Sequence, residues 1–109
     1  MPISPKGTRR ERELLEKMAK EDYVVHRIAG SGLGREAICD LIAVRGGEVL
    51  FIECKSKKKA YYSKEHREQF EKLIKAAKKA GAKPVLAVKL NYKEWQMFDL
   101  RKGIPEKVV

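Results

Sequence analysis

The sequence predicts an α/β fold in which helices flank a central mixed sheet of five strands. Three observations lead to this prediction. Two segments carry apolar residues at helical spacing, five further segments read as strands separated by turn signals, and the second helical segment lies between the third and fourth strands. A helix between two strands is typical of a crossover connection, so the sheet should combine antiparallel and parallel neighbours.

The first helix is predicted over residues 8 to 20, where Leu14, Leu15 and Met18 lie on one apolar face. Glu11 precedes these three residues by three, four and seven positions, which places its carboxylate on the side that faces the core. A single acidic residue at a helix edge is usually solvated. The alternative is that Glu11 contributes a ligand for a metal or a water molecule to a site on that side.

Three strands are predicted next, over Tyr23 to Ile28, Ile38 to Val44 and Glu48 to Lys55. Residues 30 to 34 are rich in glycine and predict a flexible loop after the first strand. Gly46–Gly47 is a strong signal for a two-residue hairpin between the second and third strands. The three strands should therefore form an antiparallel meander.

The second helix is predicted from Ser63, a candidate N-cap, to Ala80, with Gly81 as its C-terminal stop. Beyond it, the sequence predicts a strand covered on both faces over Pro84 to Leu90, a last strand over Glu94 to Leu100, and a tail over Arg101 to Val109. No internal repeat interrupts this order, so residues 1–109 should form a single domain.

The charge of the chain indicates a polyanionic partner. Lysine and arginine number 25 against 15 acidic residues, which gives a net charge of +10. Nucleic acid is the leading candidate, and a lysine-rich solvated surface is the alternative. Two basic clusters, Arg9/Arg10/Arg12 and Lys57/Lys58/Lys59, are candidates for binding phosphates, and Tyr61 and Tyr62 beside the second cluster could stack on unpaired bases or belong to the core.

Composition also excludes several classes of protein. No apolar run approaches the length of a bilayer span, which argues against a membrane protein. Cys39 and Cys54 are too few for a disulfide scaffold, and they should be reduced thiols in the core. Residues 1–6 lack the apolar segment of a signal peptide, so the expected location is the cytoplasm, in association with the nucleoid.

The predicted hairpin places two carboxylates opposite each other. A two-residue turn at Gly46–Gly47 pairs Arg45 with Glu48, and each step outward pairs the next residues until Asp40 lies opposite Glu53. Such a non-hydrogen-bonded pair has Cα atoms about 4.5 Å apart. Like charges at this spacing destabilise a sheet unless a cation lies between them. Because carboxylate oxygens are hard ligands, Mg²⁺ or Mn²⁺ should be favoured over Zn²⁺.

Lys55 follows Glu53 by two residues and therefore shares its face of the strand. Two carboxylates that bind a cation, together with an ammonium group, can hydrolyse a phosphodiester. The cation polarises the phosphoryl group and activates water, and the ammonium group stabilises the charge of the transition state. Asp40, Glu53 and Lys55 are therefore the predicted catalytic core.

An alternative is that Asp40 and Glu53 are ordinary solvated residues on an open sheet face. Their neighbours on that face argue against it, because Ile42 and Phe51 would then belong to a large exposed apolar patch. A β-bulge in the hairpin would invalidate the predicted register. The two histidines, His26 and His66, lack metal-ligand spacing and are expected to be non-catalytic.

Asp40 followed by Glu53-Cys54-Lys55 resembles the D…ExK signature of the PD-(D/E)xK nuclease superfamily, although Cys39 stands where many members have proline. Three further stretches occur in the same order as in a narrower group, the archaeal Holliday-junction resolvases. These stretches are residues 6–14 (KGTRREREL), 27–31 (RIAGS) and 84–89 (PVLAVK). The resemblance extends to about Leu100, and residues 32–39 look longer than in several relatives.

The resemblance implies a restriction-endonuclease-like core and a homodimer that binds four-way DNA junctions and cuts two opposed strands with Mg²⁺. By position, Glu11, Asp40, Glu53 and Lys55 match the family's catalytic residues, and the three acids match its metal ligands. Arg12, Arg27 and Ser31 match residues that assist catalysis or contact DNA. Another nuclease of the superfamily that cuts ordinary duplex, or a non-catalytic DNA-binding protein, would share part of this pattern.

Overall fold

Two α-helices and seven strands follow one another along the residues that the computed structural model describes, which are 5–28 and 37–109. In chain order, the elements are α1 (Pro5–Ala19), β1 (Val24–Arg27), β2 (Leu41–Arg45), β3 (Glu48–Lys57), β4 (Tyr61–Tyr62), α2 (Arg67–Ala80), β5 (Lys83–Leu90), β6 (Gln96–Asp99) and β7 (Lys107–Val108). The predicted glycine-rich loop over residues 30 to 34 lies outside the described residues.

The main sheet has five strands in the order β1-β2-β3-β5-β6. Strands β1, β2 and β3 form an antiparallel meander, and α2 connects β3 to its parallel neighbour β5. Strand β6 then pairs antiparallel with β5 at the edge. The predicted mixed five-stranded sheet is confirmed, because each pairing follows from a short turn or from a helical crossover.

The hairpin between β2 and β3 has the predicted two-residue turn. Gly46 and Gly47 have φ angles of 55° and 85°. Two consecutive residues with positive φ are required by a type I′ turn, whose twist matches that of the strands it joins. Arg45 pairs with Glu48 as predicted, and the register continues to Leu41 and Ile52.

The core has two parts, one on each face of the sheet. On one face, Leu14 and Met18 of α1 pack against residues such as Leu41 and Ile52. On the other face, Phe70 and Leu73 of α2 form the second cluster with partners that include Leu86 and Val88 of β5. Strand β5 contributes to both clusters, as an uninterrupted apolar strand should.

The ends of α2 differ in how well the sequence predicts them. Gly81 adopts a left-handed conformation with φ of 75° and donates its N–H to the last turn, as expected of a helix stop. Ser63 is not the N-cap of α2, because a short 3-10 turn over Lys64–His66 precedes the helix. The Ser63 hydroxyl instead donates to the carbonyl of Pro105, at 2.7 Å. The N-cap prediction was therefore wrong.

The predicted tail over 101–109 is also corrected. A 3-10 turn over Leu100–Lys102 is followed by β7, which pairs antiparallel with β4 in a small second sheet. Val108 and Tyr61 face each other there and are 2% and 1% exposed. The segment therefore packs onto the fold, because Val108 removes apolar surface from water against residues that follow β3.

Within the described residues, none of the helices combines the length and the apolar character that crossing a membrane requires.

Candidate active site

The pairing of β2 with β3 changes at Asp40. Its N–H donates to the carbonyl of Ile52, at 2.9 Å, although Ile52 is already the partner of Leu41. Two consecutive residues opposite one residue constitute a β-bulge. A second observation agrees, because Cys39 and Leu41 are buried in opposite core clusters, whereas residues two apart in a regular strand share a face. The predicted regular pair of Asp40 and Glu53 is therefore replaced by a bulge.

The bulge still brings the Asp40 side chain to β3. The N–H of Cys54, the residue after Glu53, donates to Oδ2 of Asp40 at 2.8 Å. Asp40 is 8% exposed and Glu53 is 5% exposed. Both carboxyl groups are thus buried beside each other, and the alternative of two solvated acids on an open face is excluded.

The surroundings of Glu53 favour its protonated form. Burial raises the pKa of Glu53, and the negative charge of Asp40 raises it further, to about 8. The positive charge of Lys55 acts in the opposite direction and does not compensate. A buried carboxyl group next to a second acid therefore keeps a proton at neutral pH unless another cation enters the site.

Gln69 of α2 connects Glu53 to Lys55. Its Nε2 donates to Oε2 of Glu53 at 3.2 Å, and its Oε1 accepts from Nζ of Lys55 at 3.2 Å. The Lys55 Nζ also lies 3.6 Å from Oε2 of Glu53. One side-chain amide therefore orients both the carboxylate and the ammonium group, which places Lys55 in the same small volume as Glu53, as predicted.

Sequence reasoning did not identify Gln69. A signal for it exists, because Gln69 precedes Leu73 and Ala77 by four and eight residues. Leu73 and Ala77 are fully buried, so this spacing places Gln69 at the end of the core-facing stripe of α2. Gln69 itself is exposed, so its position does not require a partner, and only the three-dimensional arrangement shows that it bonds Glu53.

Glu11 lies on the α1 side of the site and pairs with Arg27 of β1. The Nε of Arg27 donates to Oε1 of Glu11 at 2.9 Å, and both side chains are more than four-fifths buried. Burial raises the pKa of Glu11, and the charge of Asp40 raises it further, against the effect of Arg27. Glu11 therefore lies within the electrostatic influence of Asp40, while its carboxylate is engaged by a guanidinium group.

The donors of the site fit a divalent cation with a preference for oxygen. Mg²⁺ and Mn²⁺ use carboxylate oxygens as ligands, and a cation bound to Asp40 and Glu53 would offset the burial and the repulsion that together raise the pKa of Glu53. Among residues 5–28 and 37–109, no three His, Cys, Asp or Glu side chains are grouped closely enough to hold a metal by themselves. Asp40 and Glu53 are thus the pair that the fold brings together.

The predicted phosphate-binding cations differ in their exposure. Arg9 and Arg12 on α1 are exposed, as is the cluster Lys57/Lys58/Lys59, which begins at the last residue of β3. Arg10 is only partly exposed, because its guanidinium group bonds Glu13 at 3.2 Å. Ser31 lies outside the described residues.

The other residues singled out in the sequence, two tyrosines, a histidine and a cysteine, differ in whether they are buried or exposed. Tyr61 is buried and its hydroxyl lies 2.8 Å from Nδ1 of His66, so Tyr61 is a core residue, whereas Tyr62 is 58% exposed. His26 is exposed on β1. Cys39 is buried, and burial raises the pKa of its thiol to about 12, which agrees with an inert reduced cysteine.

Comparison with known proteins identifies relatives along nearly the whole chain. The model of the family described as archaeal Holliday junction resolvase (Hjc) matches residues 3–106. A protein of Methanocaldococcus jannaschii named crossover junction endodeoxyribonuclease Hjc is 48% identical over 89 residues, and its counterpart from Archaeoglobus fulgidus is 37% identical over 101 residues. The first alignment covers 79% of this chain and 60% of the relative, and the second covers 91% and 72%.

A solved structure has the same fold. It is that of Hjc from Archaeoglobus fulgidus, described as a Holliday junction resolvase, and it superimposes with a TM-score of 0.71 at 34% identity. The superposition covers 85% of this chain and 75% of that chain. The predicted α/β fold with a restriction-endonuclease-like core is thereby confirmed.

Proposed function

This chain belongs to the archaeal Holliday junction resolvase (Hjc) family, and from that premise we propose that it is a metal-dependent DNA endonuclease that resolves four-way junctions. The observation that carries the proposal is the buried pair of Asp40 and Glu53 with Lys55 beside it. Two adjacent buried acids cost stability through desolvation and mutual repulsion, and a bound cation would offset both costs.

Asp40 and Glu53 would hold the metal ion. Glu11 is not grouped with them closely enough to complete a set of three direct ligands, so its proposed role is to bind a water molecule of the metal. Mg²⁺ is the proposed ion and Mn²⁺ a substitute; when bound, such an ion polarises the scissile phosphoryl group and lowers the pKa of bound water. Glu53 must release its proton to act as a ligand, so the raised pKa of its carboxyl group couples metal binding to pH. Lys55 acts on the same phosphate, since its ammonium group can stabilise the charge that develops on the phosphoryl oxygens.

Arg27 and Gln69 would assist without being altered by the reaction. Arg27 bonds Glu11 and holds that carboxylate on the side of Asp40. When a metal ion is bound in the site, the guanidinium group of Arg27 could leave Glu11 and contact a phosphate of the DNA. Gln69 holds Lys55 and Glu53 at a fixed separation, which preorganises charge where the transition state needs it.

The exposed cations around the site supply a surface for the phosphate backbone. Arg9 and Arg12 lie on α1 beside Glu11, and Lys57, Lys58 and Lys59 continue from the strand that carries Glu53 and Lys55. We assign DNA binding to these residues and to Arg10, Arg27 and Ser31. Such contacts contribute affinity that does not depend on sequence and that weakens with salt.

The proposed assembly is a homodimer. A chain with one catalytic set has one active site, and resolution of a junction requires two symmetrically placed cuts. A two-fold axis presents the same site twice in opposed orientations, which matches the symmetry of a four-way junction. Each protomer would then cut one of two opposed strands.

A cleavage assay tests the function. A labelled four-way junction and a linear duplex of the same sequence are incubated with the protein, with and without Mg²⁺. We expect paired nicks in the junction only when Mg²⁺ is present, and none in the duplex. Asp40→Asn and Glu53→Gln should abolish cleavage, because each removes a proposed metal ligand, and should keep junction binding; Asp40→Asn should tighten it, because it also removes a negative charge that repels phosphate. Equal cleavage of the duplex would indicate a different nuclease, and binding without cleavage a non-catalytic protein.

A further inference from the structure

A basic groove lies next to the candidate active site. It has a volume of about 780 Å³ and is formed by the end of β3, by β4, by the 3-10 turn before α2 and by β7. Four cations line it, namely Lys57, Lys64, Arg67 and Lys107, against the acids Glu65 and Glu106. The groove therefore carries a positive excess, which suits a phosphate-bearing ligand.

The groove is continuous with the catalytic strand and helix. Lys57 lies two residues beyond Lys55 on β3, and Arg67 lies two residues before Gln69 on α2. His66 lies between these elements; burial lowers the pKa of its imidazole, and the nearby charge of Lys55 lowers it further. A strand with a phosphate at Lys55 can thus extend directly into the groove.

Tyr62 presents an aromatic ring on the wall of this groove. Its side chain is 58% exposed, whereas the adjacent Tyr61 is 1% exposed and anchors β4 in the core. The pairing of β4 with β7 holds the backbone of Tyr62 opposite Lys107, whose Nζ lies 5.6 Å from the ring centre. An exposed ring on a paired strand, with a cation close to it, offers a stacking surface beside a phosphate contact.

We propose that this groove binds an unpaired nucleotide of the DNA strand being cut, with its base stacked on Tyr62 and its phosphates on Lys57, Arg67 and Lys107. The proposal rests on the proposed function, since it names the part of a branched substrate that the site receives. Bases of a continuous duplex are stacked on each other and are not available to Tyr62, whereas bases at a branch point can be. The groove would therefore favour branched DNA over duplex.

Photochemical crosslinking tests the proposal directly. A four-way junction and a continuous duplex each carry 5-iodouracil at the same position of the same sequence, next to the expected cut site. Each is bound to the full chain without divalent cation, so that no strand is cut, and is then irradiated. Because 5-iodouracil crosslinks to aromatic rings on which it stacks, we expect a crosslink to Tyr62 in the junction complex and none in the duplex complex.

Substitutions at Tyr62 measure how much the proposed base stack contributes to junction affinity. Tyr62→Leu should weaken junction binding by about 5-fold or more, the loss of one base stack, and Tyr62→Phe should stay within about twofold of the wild type. Tyr92→Leu is the matched control, because Tyr92 is 61% exposed and has Lys93 Nζ 5.6 Å from its ring but does not line the groove. It should bind the junction as the wild type does.

The outcomes separate this proposal from the function on which it rests. If the wild type cuts junctions with Mg²⁺ but the crosslink falls elsewhere, or Tyr62→Leu binds like Tyr92→Leu, the groove proposal is overturned and the nuclease remains. A crosslink of equal yield in duplex and junction also overturns it. If the wild type neither binds nor cuts junctions, both proposals fail. Circular dichroism of Tyr62→Leu verifies that the variant is folded.

Discussion

At the scale of single residues, the carboxyl group of Glu53 couples the stability of the fold to pH. Its pKa is raised to about 8 in the folded chain, against an ordinary value of 4.5. Between these values the folded state holds a proton that the unfolded state has lost. The free energy of unfolding therefore falls as pH rises from about 4.5 to about 8, because folding in this range requires the uptake of a proton.

A prediction follows for Glu53→Gln, which removes the titrating group and keeps its shape. Without divalent cations, the variant should be more stable than the wild type at pH 8 and above, and this advantage should shrink toward pH 5. Urea unfolding of both proteins in EDTA, between pH 5 and pH 8, measures this difference in the free energy of unfolding. Mg²⁺ should stabilise the wild type at pH 8 and leave the variant unchanged. If the free energies of unfolding of the two proteins in EDTA change in parallel with pH, the pKa of Glu53 is not raised by folding, and the prediction is wrong.

Gln69 provides a second prediction at this scale. Gln69→Ala removes the bonds to Glu53 and Lys55 without touching the substrate, so it should lower the single-turnover cleavage rate by about 10- to 100-fold and leave junction affinity within about twofold. It should also raise the Mg²⁺ concentration needed for half-maximal rate. Glu68→Ala, an exposed neighbour on the same helix, is the control. An unchanged rate for Gln69→Ala would mean that the amide only fills space.

At the scale of elements, the bulge at Asp40 explains how a strand of the meander supplies a site residue. A regular strand would place Cys39 and Leu41 on one face, whereas the bulge buries them in opposite clusters and turns Asp40 toward the N–H of Cys54. The backbone of Asp40 is held on both sides, since its N–H reaches Ile52 and its carbonyl accepts from Ile28. Asp40 is therefore positioned by contacts with β3 on one side and with the residue that follows β1 on the other.

The small sheet of β4 and β7 supports the segment that leaves the active-site strand. Val108→Ala should lower the free energy of unfolding by about 1–3 kcal/mol, because the side chain is 2% exposed and packs opposite Tyr61. Val109→Ala, at a side chain 51% exposed, should change it by less than about 0.5 kcal/mol. Urea denaturation compares the two. Equal values would show that the end of the chain does not pack in solution.

At the scale of the whole molecule, the distribution of charge should determine affinity for DNA. Replacing Lys57, Lys58 and Lys59 by alanine should weaken binding to all DNA shapes and flatten the salt dependence by about one unit of slope for each lost contact. Lys75, Lys78 and Lys79 are exposed on the C-terminal half of α2, and their replacement removes the same charge as a control. Titrations at several salt concentrations distinguish the two sets. The same slope for both would place Lys57–Lys59 away from the DNA.

The proposed dimer makes a prediction of its own. A mixed dimer of one wild-type protomer and one Glu53→Gln protomer should nick only one strand of a junction, because each protomer is proposed to cut one strand. The singly nicked product should then accumulate on a denaturing gel. If the mixed dimer still makes both cuts, or if the native protein sediments with junction DNA as a monomer, one site acts alone and the paired mechanism is wrong.

The sequence by itself determined those features that neighbouring residues encode. Gly46 and Gly47 tolerate the positive φ of a type I′ turn, so the register of β2 and β3 follows from counting outward. Alternation along β3 then places Lys55 beside Glu53, and Gly81 ends α2 because it accepts a left-handed conformation. Each of these depends on local backbone geometry, which a short stretch of sequence specifies.

Only the tertiary structure decided the features that depend on residues far apart in the chain. The bulge at Asp40 depends on how two core clusters pack on opposite faces of the sheet, and no glycine or other turn residue near Asp40 predicts it. Gln69 meets Glu53 only because α2 crosses over that part of the sheet, and Ser63 bonds Pro105 and not the helix that follows it. Val108 is buried for the same reason, since the partner that covers it lies more than forty residues earlier in the chain. Such contacts are set by packing, and packing is a property of the assembled core that local patterns do not contain.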